Sequence, residues 1–116
     1  MTEHDLHRSV AEYLTVALPD DVYWFHPANE GKRTKWERGQ FIKYGGKAGV
    51  PDLVFVVGGQ ARFIELKAEG GYLSPAQKLT IEQIADAGAA VEVCRSILDV
   101  QETLEAWGVK IRARAA

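Results

Sequence analysis

A glycine pair between two apolar runs is the feature that most constrains how this chain folds. The runs cover Leu53–Val57 and Ala61–Ala68, and Gly58 and Gly59 lie between them. The first run consists only of leucine, valine and phenylalanine, and a Gly-Gly loop suits the tight turn of an antiparallel hairpin. The sequence therefore predicts two paired strands at the centre of the fold.

Three charged side chains interrupt this apolar segment. If the two glycines form the whole loop, Asp52 lies directly opposite Glu65. Lys67 then shares their face of the sheet, because side chains alternate along a strand. A loop at residues 59–60 would set Asp52 opposite Lys67 instead and keep all three on one face, whereas a three-residue loop would separate them.

The chemistry of this trio leaves two interpretations open. Two facing carboxylates in an apolar sheet repel each other and lose hydration, and a divalent cation offsets both costs. The Leu66 carbonyl between Glu65 and Lys67 adds a further oxygen ligand, and Lys67 beside it can orient or deprotonate a water. This set suits phosphodiester hydrolysis. The other interpretation is a structural Asp–Lys–Glu salt-bridge cluster, which the spacing favours equally.

The remaining pattern predicts a single α/β domain over residues 1–116. Thr2 caps a first helix that runs to about Leu18, followed by a strand at Val22–His26, a short helix around Lys35–Lys43, the hairpin, a helix from Pro75 to about Ala87, a strand at Val91–Cys94 and a helix from about Leu98 to Trp107. The strands are apolar on both faces, which predicts a mixed sheet flanked by helices on both faces. The length suits one modest core.

Charge is concentrated between positions 28 and 50, here named the basic segment. Its cations are Lys32, Arg33, Lys35, Arg38, Lys43 and Lys47, and its acids are Glu30 and Glu37, so it carries +4 while the rest of a chain of net charge −2 carries −6. Trp36, Phe41 and Tyr44 are interleaved with the cations. Cations neutralise phosphates, and the aromatic rings either stack on unpaired bases or pack the loop down. A solvated loop explains the charges about as well, but we favour DNA contact.

Several stretches together resemble a known nuclease family. Pro51-Asp52 followed by Glu65-Leu66-Lys67 is similar to the PD-(D/E)xK nuclease superfamily. "GVPDLVFV", "FIELKAEGGYLSPAQK" and "EVCRS" resemble its VRR-NUC (virus-type replication-repair nuclease) branch, as do "EHDLHRSVAEYL" and "FHPANEGKR". The resemblance covers nearly the whole chain, as in stand-alone phage and bacterial members. One departure is Glu30, which follows Asn29 where the family pattern has glycine.

The resemblance implies a restriction-endonuclease-like core and a set of site residues. Its catalytic residues would be Asp52, Glu65, Lys67 and Gln77, and Mg²⁺ or Mn²⁺ would be held by Asp52, Glu65, the Leu66 backbone carbonyl and Glu3. Two of these have competing structural roles. Ser74-x-x-Gln77 is a capping-box pattern, and Glu3 suits a first-turn acid at the helix dipole.

A helical wheel separates Glu3 from a second acid on the first helix. Glu3 lies within about 20° of Val10 and Leu14, in the middle of the apolar stripe, whereas Glu12 lies about 180° away on the solvent side. We therefore expect Glu3 to point toward the metal site and Glu12 to have no role there. His26 is a proton shuttle or metal neighbour on one interpretation, and structural on the preferred one. His4 and His7 are expected to have no catalytic role.

These features predict a metal-dependent DNA endonuclease. The resemblance implies branched DNA such as four-way junctions, and symmetric junction cutting needs two active sites, so we expect a homodimer. The alternatives are a non-catalytic DNA-structure-binding module of the same fold, and a nuclease for linear or single-stranded ends. We expect no small-molecule cofactor and no membrane association. A single cysteine, Cys94, and the absence of a signal-peptide pattern predict a cytoplasmic location in a bacterial or phage-infected cell.

Overall fold

The structure is a computed structural model that describes residues 1–28 and 31–115. Its elements follow the predicted order: α1 (Glu3–Ala17), β1 (Tyr23–Phe25), α2 (Lys35–Lys43), β2 (Leu53–Val57), β3 (Gln60–Leu66), α3 (Pro75–Asp86), β4 (Val91–Cys94) and α4 (Ile97–Ala106). Thr2 caps α1 as predicted, in a capping box with Asp5. No helix in the described part of the chain is long and apolar enough to cross a membrane.

The four strands form one mixed sheet in the order β1-β2-β3-β4. The first two pairings are antiparallel, and β3 pairs with β4 in parallel. Val57 pairs with Gln60, so the hairpin loop consists of the two glycines, as predicted. Gly58 and Gly59 have φ angles of 58° and 80°, and successive positive φ angles are what this tight hairpin turn requires.

One strand boundary was wrong. The apolar pattern predicted a strand to Ala68, but β3 ends at Leu66. The backbone N–H of Lys67 still donates to the Cys94 carbonyl at 3.0 Å, and β4 ends there. Because β4 stops there, Lys67 lies one residue beyond the end of β3.

The core lies on one face of the sheet, between the strands and helices α1 and α4. Its fully buried side chains include Val10, Leu14, Leu53, Phe55, Ile64, Leu66, Val100 and Leu104. Alternation along β2 and β3 brings the apolar residues of this face together, and burial of each large side chain contributes about 1.5–3 kcal/mol. The helix α1 that carries Glu3 is therefore fixed by its own apolar stripe.

A segment after α4 ties α1 to the rest of the molecule. The backbone N–H of Arg112 donates to the Ala17 carbonyl at 2.7 Å, and its guanidinium donates to the Leu18 carbonyl at 2.7 Å. The Tyr13 hydroxyl donates to the Ala113 carbonyl at 2.8 Å. The two Arg112 bonds satisfy carbonyl groups at the carboxyl end of α1 that have no partner within the helix.

The opposite face of the sheet is covered less completely. Helix α3 has no buried residue and shares an apolar groove of about 600 Å³ with Val54 and Phe63. Toward β1 the same face exposes Tyr23, Phe25 and Val56, and the Tyr23 side chain is 67% exposed. Helices thus flank both faces, as predicted, but one half of this second face is open.

Candidate active site

The register of the hairpin brings Asp52 and Glu65 together at one end of the sheet. Asp52 directly precedes Leu53, which pairs with Ile64, so it lies opposite Glu65 as predicted. The Asp52 carboxylate accepts a hydrogen bond from the Leu66 N–H at 2.8 Å. Glu65 is only 2% exposed. The two glycines thus determine which carboxylates meet, although each carboxylate lies six residues from the nearer glycine.

Burial and neighbouring charge keep the Glu65 carboxyl from ionising at its ordinary pH. Its pKa rises from 4.5 to about 8, chiefly because burial penalises the charged form, and also because the Asp52 carboxyl lies beside it. The Lys67 ammonium opposes this rise, and the Glu3 carboxylate adds to it. A buried carboxyl of this kind binds either a proton or a cation, and perturbed acids of this kind cluster at functional sites.

Lys67 lies between two acids from different parts of the chain. Its ammonium is 3.8 Å from Glu65 Oε2 and 3.4 Å from Glu3 Oε1. The residue is only 8% exposed, so its ammonium is held near the carboxylate pair rather than in open solvent. The sequence placed Lys67 on this face correctly, although it lies past the strand end.

Gln77 makes both of the contacts that the sequence left as alternatives. As a capping residue, it accepts a bond from the Ser74 N–H at 2.8 Å through its amide oxygen. Its amide nitrogen meanwhile donates to Glu65 Oε2 at 2.9 Å. The cap orients the amide, and the amide in turn orients the Glu65 carboxylate.

Glu3 and Glu12 lie where the helical wheel places them. Glu3 extends from the first turn of α1 to Lys67, with its side chain 52% exposed, while Glu12 is exposed elsewhere on the helix. In this arrangement the Glu3 carboxylate meets the ammonium of Lys67. Its role as a metal ligand stays a prediction.

Two histidines support the backbone at Asp52: His26 contacts its carbonyl, and His7 packs against His26. The His26 ring nitrogen Nδ1 lies 2.7 Å from the Asp52 carbonyl oxygen, so a protonated Nδ1 anchors the chain just before β2. The His7 ring packs edge-on against His26, with centroids 4.4 Å apart. Sequence reasoning attached no role to His7. The available signal was its position four residues after Glu3, on the same face of α1.

The donor set at this end of the sheet suits a hard cation. Asp52 and Glu65 supply carboxylate oxygens, and the Leu66 carbonyl belongs to the residue beside them, which matches the oxygen ligands that Mg²⁺ prefers. Within residues 1–28 and 31–115, no three His, Cys, Asp or Glu side chains form a ready-made metal cage. A Mg²⁺ ion commonly keeps several waters and needs only one or two carboxylates. The pair therefore fits the ion, with water completing its coordination.

The basic segment projects from the sheet near this site. Helix α2 contributes no buried residue, and Lys32, Lys35, Arg38, Lys43 and Lys47 are exposed. Arg33 is half-buried, with its guanidinium 3.9 Å from the centroid of the Phe41 ring. Asn29 and Glu30, where the sequence departs from the expected glycine pattern, lie outside the described residues. A cationic surface thus extends from the edge of the sheet, as DNA contact requires.

Comparison with known proteins links this geometry to one family. The family model described as VRR-NUC domain matches residues 18–97. Among solved structures, a protein described as "VRR_NUC domain protein" superimposes with a TM-score of 0.71 at 26% sequence identity, covering 92% of this chain and 88% of that one. No curated protein matches the sequence.

Proposed function

Because this chain belongs to the VRR-NUC family, we propose that it is a metal-dependent endonuclease that hydrolyses phosphodiester bonds in branched DNA. Membership makes it a nuclease-type DNA-processing domain, with DNA as the implied substrate. The observation that carries the finer proposal is the surroundings of Glu65. Gln77 orients this buried carboxylate, Lys67 lies beside it, and Asp52 faces it.

The proposed site assigns a distinct role to each residue. Asp52, Glu65 and the Leu66 carbonyl would hold Mg²⁺ or Mn²⁺, with Glu3 as a further ligand. The ion, when bound, would polarise the scissile phosphate and lower the pKa of a coordinated water. The Lys67 ammonium is a hydrogen-bond donor to that water and to a phosphate oxygen. The 2.9 Å bond from Gln77 keeps Glu65 in one rotamer.

The basic segment supplies affinity for the DNA backbone in this proposal. Its cations lie on a projecting helix with no buried residue, so they can follow a phosphate backbone without disturbing the core. The residues assigned to this role are Lys32, Arg33, Lys35, Arg38, Lys43 and Lys47. Contacts of this kind release counterions and are independent of sequence.

A homodimer would supply the two active sites that symmetric cutting of a four-way junction needs. The open half of the second sheet face supports it. Tyr23, Phe25 and Val56 are exposed there without an intervening charge on β1, and apolar patches of this kind favour association. The cationic α2 is less suited to self-association, because two copies would repel. We therefore assign the sheet face to the second copy.

The discriminating experiment is cleavage of labelled linear duplex, single-stranded, flap and four-way DNA, with Mg²⁺, Mn²⁺ or EDTA. We expect four-way DNA to be cut fastest, and cutting to stop in EDTA and in Lys67→Ala. Preferential cutting of linear or single-stranded ends would contradict the branched-substrate assignment. Cutting by Lys67→Ala at the wild-type rate would contradict the assigned site.

The ion pairs of Lys67 also favour a second candidate function. Lys67 already neutralises part of the charge of Glu65 and Glu3, which is the pattern of a structural salt-bridge cluster. A non-catalytic module that recognises DNA structure would have such a cluster and no bound metal. Tight, EDTA-insensitive binding to four-way DNA without cleavage by any metal would establish this alternative.

A further inference from the structure

A cleft of about 620 Å³ lies along one side of α2, outside the carboxylate site. Its walls include Arg33, Trp36, Gln40, Phe41, Tyr44 and Gly46. We propose that this cleft holds an unpaired nucleobase of the DNA substrate. The inference rests on the proposed function, which makes DNA the ligand. It adds a site that distinguishes unpaired bases from paired ones.

The helix periodicity places three residues of the cleft in a row. Trp36, Gln40 and Tyr44 are spaced four residues apart, so they lie on nearly the same side of α2. The Trp36 side chain is 72% exposed and the Tyr44 side chain 80%. Two large aromatic rings thus face solvent on one side of a helix that has no buried residue. Exposed aromatic surface of this extent indicates a binding role rather than packing.

The third aromatic residue of the basic segment has the structural role instead. The Arg33 guanidinium covers the Phe41 ring at 3.9 Å from its centroid. Gly46 lies against the same ring so closely that a Cβ there would approach it to 2.4 Å. Thr34 and Glu37 form a capping box at the start of α2. Phe41 therefore packs the loop down and shapes the cleft, which leaves Trp36 and Tyr44 available to a ligand.

The chemistry of the exposed groups fits a nucleotide. Aromatic side chains stack on the flat face of any base, and the Gln40 amide offers both a donor and an acceptor to a base edge. Lys32 and Lys43 are exposed near the two ends of α2 and can neutralise the flanking phosphates. A base inside a duplex has both faces covered by its neighbours. Only an unpaired or extruded base can therefore stack here.

Charge argues against a second copy of this chain as the occupant. Arg33 and Glu37 are the charged residues of the cleft wall, and the exposed cations Lys32, Lys35, Arg38 and Lys43 lie on or beside the same short helix. The one acid of α2, Glu37, accepts a hydrogen bond from the Thr34 N–H in the cap. Two such surfaces would repel each other, whereas a polyanion with exposed bases complements both the charge and the rings.

The loop that follows α2 packs against α3, next to the carboxylate site. The Thr80 hydroxyl of α3 donates to the Ala48 carbonyl at 3.1 Å. Gly49 has a φ of +75°, and a Cβ there would lie 2.4 Å from the Ala76 carbonyl oxygen in the first turn of α3. That turn also carries Gln77, which bonds to Glu65. A base held by α2 and a phosphate at Glu65 can therefore belong to one DNA molecule near a branch.

The test measures binding without cleavage, in EDTA, to a fluorescent oligothymidine and to a blunt duplex of equal length. We expect Trp36→Ala and Tyr44→Ala each to weaken oligothymidine binding by about 10-fold, because stacking is lost. Duplex binding should change by less than about 2-fold, because the cations remain. Trp36→Phe keeps an aromatic face and should restore most of the affinity.

Two substitutions outside the row serve as matched controls. Ile42 is exposed on another side of α2, and a Cβ at Gly39 would meet no atom within 4 Å. Ile42→Ala and Gly39→Ala should both leave oligothymidine binding unchanged. Equal losses on single strand and duplex in Trp36→Ala would overturn the proposal. So would a change from dimer to monomer with oligothymidine affinity intact, which would make the cleft a self-association surface.

The cleft and the nuclease assignment can fail separately. Ile42→Ala should cut a four-way junction in Mn²⁺ like the wild type, since Asp52, Glu65 and the aromatic row are untouched. A wild type that cuts nothing would contradict the nuclease. A wild type that cuts, together with unchanged single-strand binding in Trp36→Ala, would contradict the cleft alone.

Discussion

Gln77 donates its side-chain N–H to Glu65 across 2.9 Å from the first turn of α3. The same amide closes the capping box with Ser74. The Gln77 side chain thus serves both the cap of α3 and the buried carboxylate of β3. Because the amide is neutral, it stabilises the charged and the protonated Glu65 without adding repulsion.

This shared role predicts that two substitutions of Gln77 differ in how their melting temperatures depend on pH. Gln77→Glu keeps the capping box, since glutamate serves at this position, but it places a further carboxylate against Glu65. Its metal-free melting temperature should match the wild type at pH 5 and fall below it at pH 9. Gln77→Ala should lower stability by about 1 kcal/mol at both pH values, because the cap is lost. Thermal melts in EDTA measure both, and parallel curves would contradict the carboxylate contact.

The raised pKa of Glu65 predicts how stability depends on pH. Between its ordinary value of 4.5 and about 8, the folded protein holds a proton at Glu65 that the unfolded chain has released. The free energy of unfolding should therefore fall as pH rises through this window. Saturating Mn²⁺ should remove the decline, because the cation replaces the proton. In Glu65→Gln, the metal-free protein should lose less stability over the same range.

Lys67 should be needed for cleavage but not for DNA binding. Its ammonium is only 3.8 Å from Glu65, while the cations to which we assign DNA binding lie on the basic segment. Lys67→Ala should abolish cleavage and leave the dissociation constant for four-way DNA within about 2-fold. Asp52→Asn should also abolish cleavage, and at pH 9, where Glu65 is ionised, it should raise the metal-free melting temperature by removing a repulsion with Glu65. A lower melting temperature in Asp52→Asn at that pH would show that the two carboxyls do not repel.

The two acids of α1 should differ in effect. Glu3→Gln removes the charge that meets Lys67 at 3.4 Å and should lower metal-dependent cleavage by at least about 10-fold. Glu12→Gln changes only a solvent-exposed charge, which contributes little, and should cleave like the wild type. Both variants should melt close to the wild type. Inactivation by Glu12→Gln with no effect of Glu3→Gln would reverse the assignment.

The basic segment should determine how DNA affinity depends on salt. Neutralising Lys32, Lys35 and Lys43 together as glutamines leaves the Arg33–Phe41 contact intact. Each lost phosphate contact makes the slope of log K against log[salt] shallower by about 0.9, so three should reduce it by roughly 2 to 3. Lys110→Gln, an exposed lysine elsewhere, is the control. An unchanged slope in the triple variant would move the DNA surface to another part of the molecule.

The hairpin shows how far the sequence alone could lead. Loop length fixes strand register, so a loop made of Gly58-Gly59, one of those that the sequence allowed, predicted that Asp52 faces Glu65. The phase of α1 was likewise readable, because Val10 and Leu14 define its buried side and Glu3 lies between them. These are local relationships, determined by neighbours in the chain or by one helix.

Other features depended on segments that meet only after folding. The approach of His26 to the Asp52 carbonyl, and of His7 to His26, requires the docking of α1 beside β1. The sequence pattern also gave no sign that α3 leaves Tyr23 and Phe25 uncovered, because apolar strand faces look alike whether a helix or another protein covers them. Lys67 lies past the end of β3 because the neighbouring strand β4 ends at Cys94. The sequence of β3 alone does not show where its neighbour ends.

The bonds from Tyr13 to Ala113 and from Arg112 to Ala17 connect positions nearly as far apart as the described chain permits. Helix α1 precedes the other described elements in the chain, and these partners come from the segment that follows the last of them. To form these bonds the chain must close a loop of about 100 residues, and such non-local contacts slow folding. Glu3 belongs to that helix, so the hairpin carboxylates and Gln77 can come together before α1 packs and brings Glu3 to them. A newly made molecule should therefore acquire its Glu3–Lys67 ion pair in the final step of folding, after the sheet has formed.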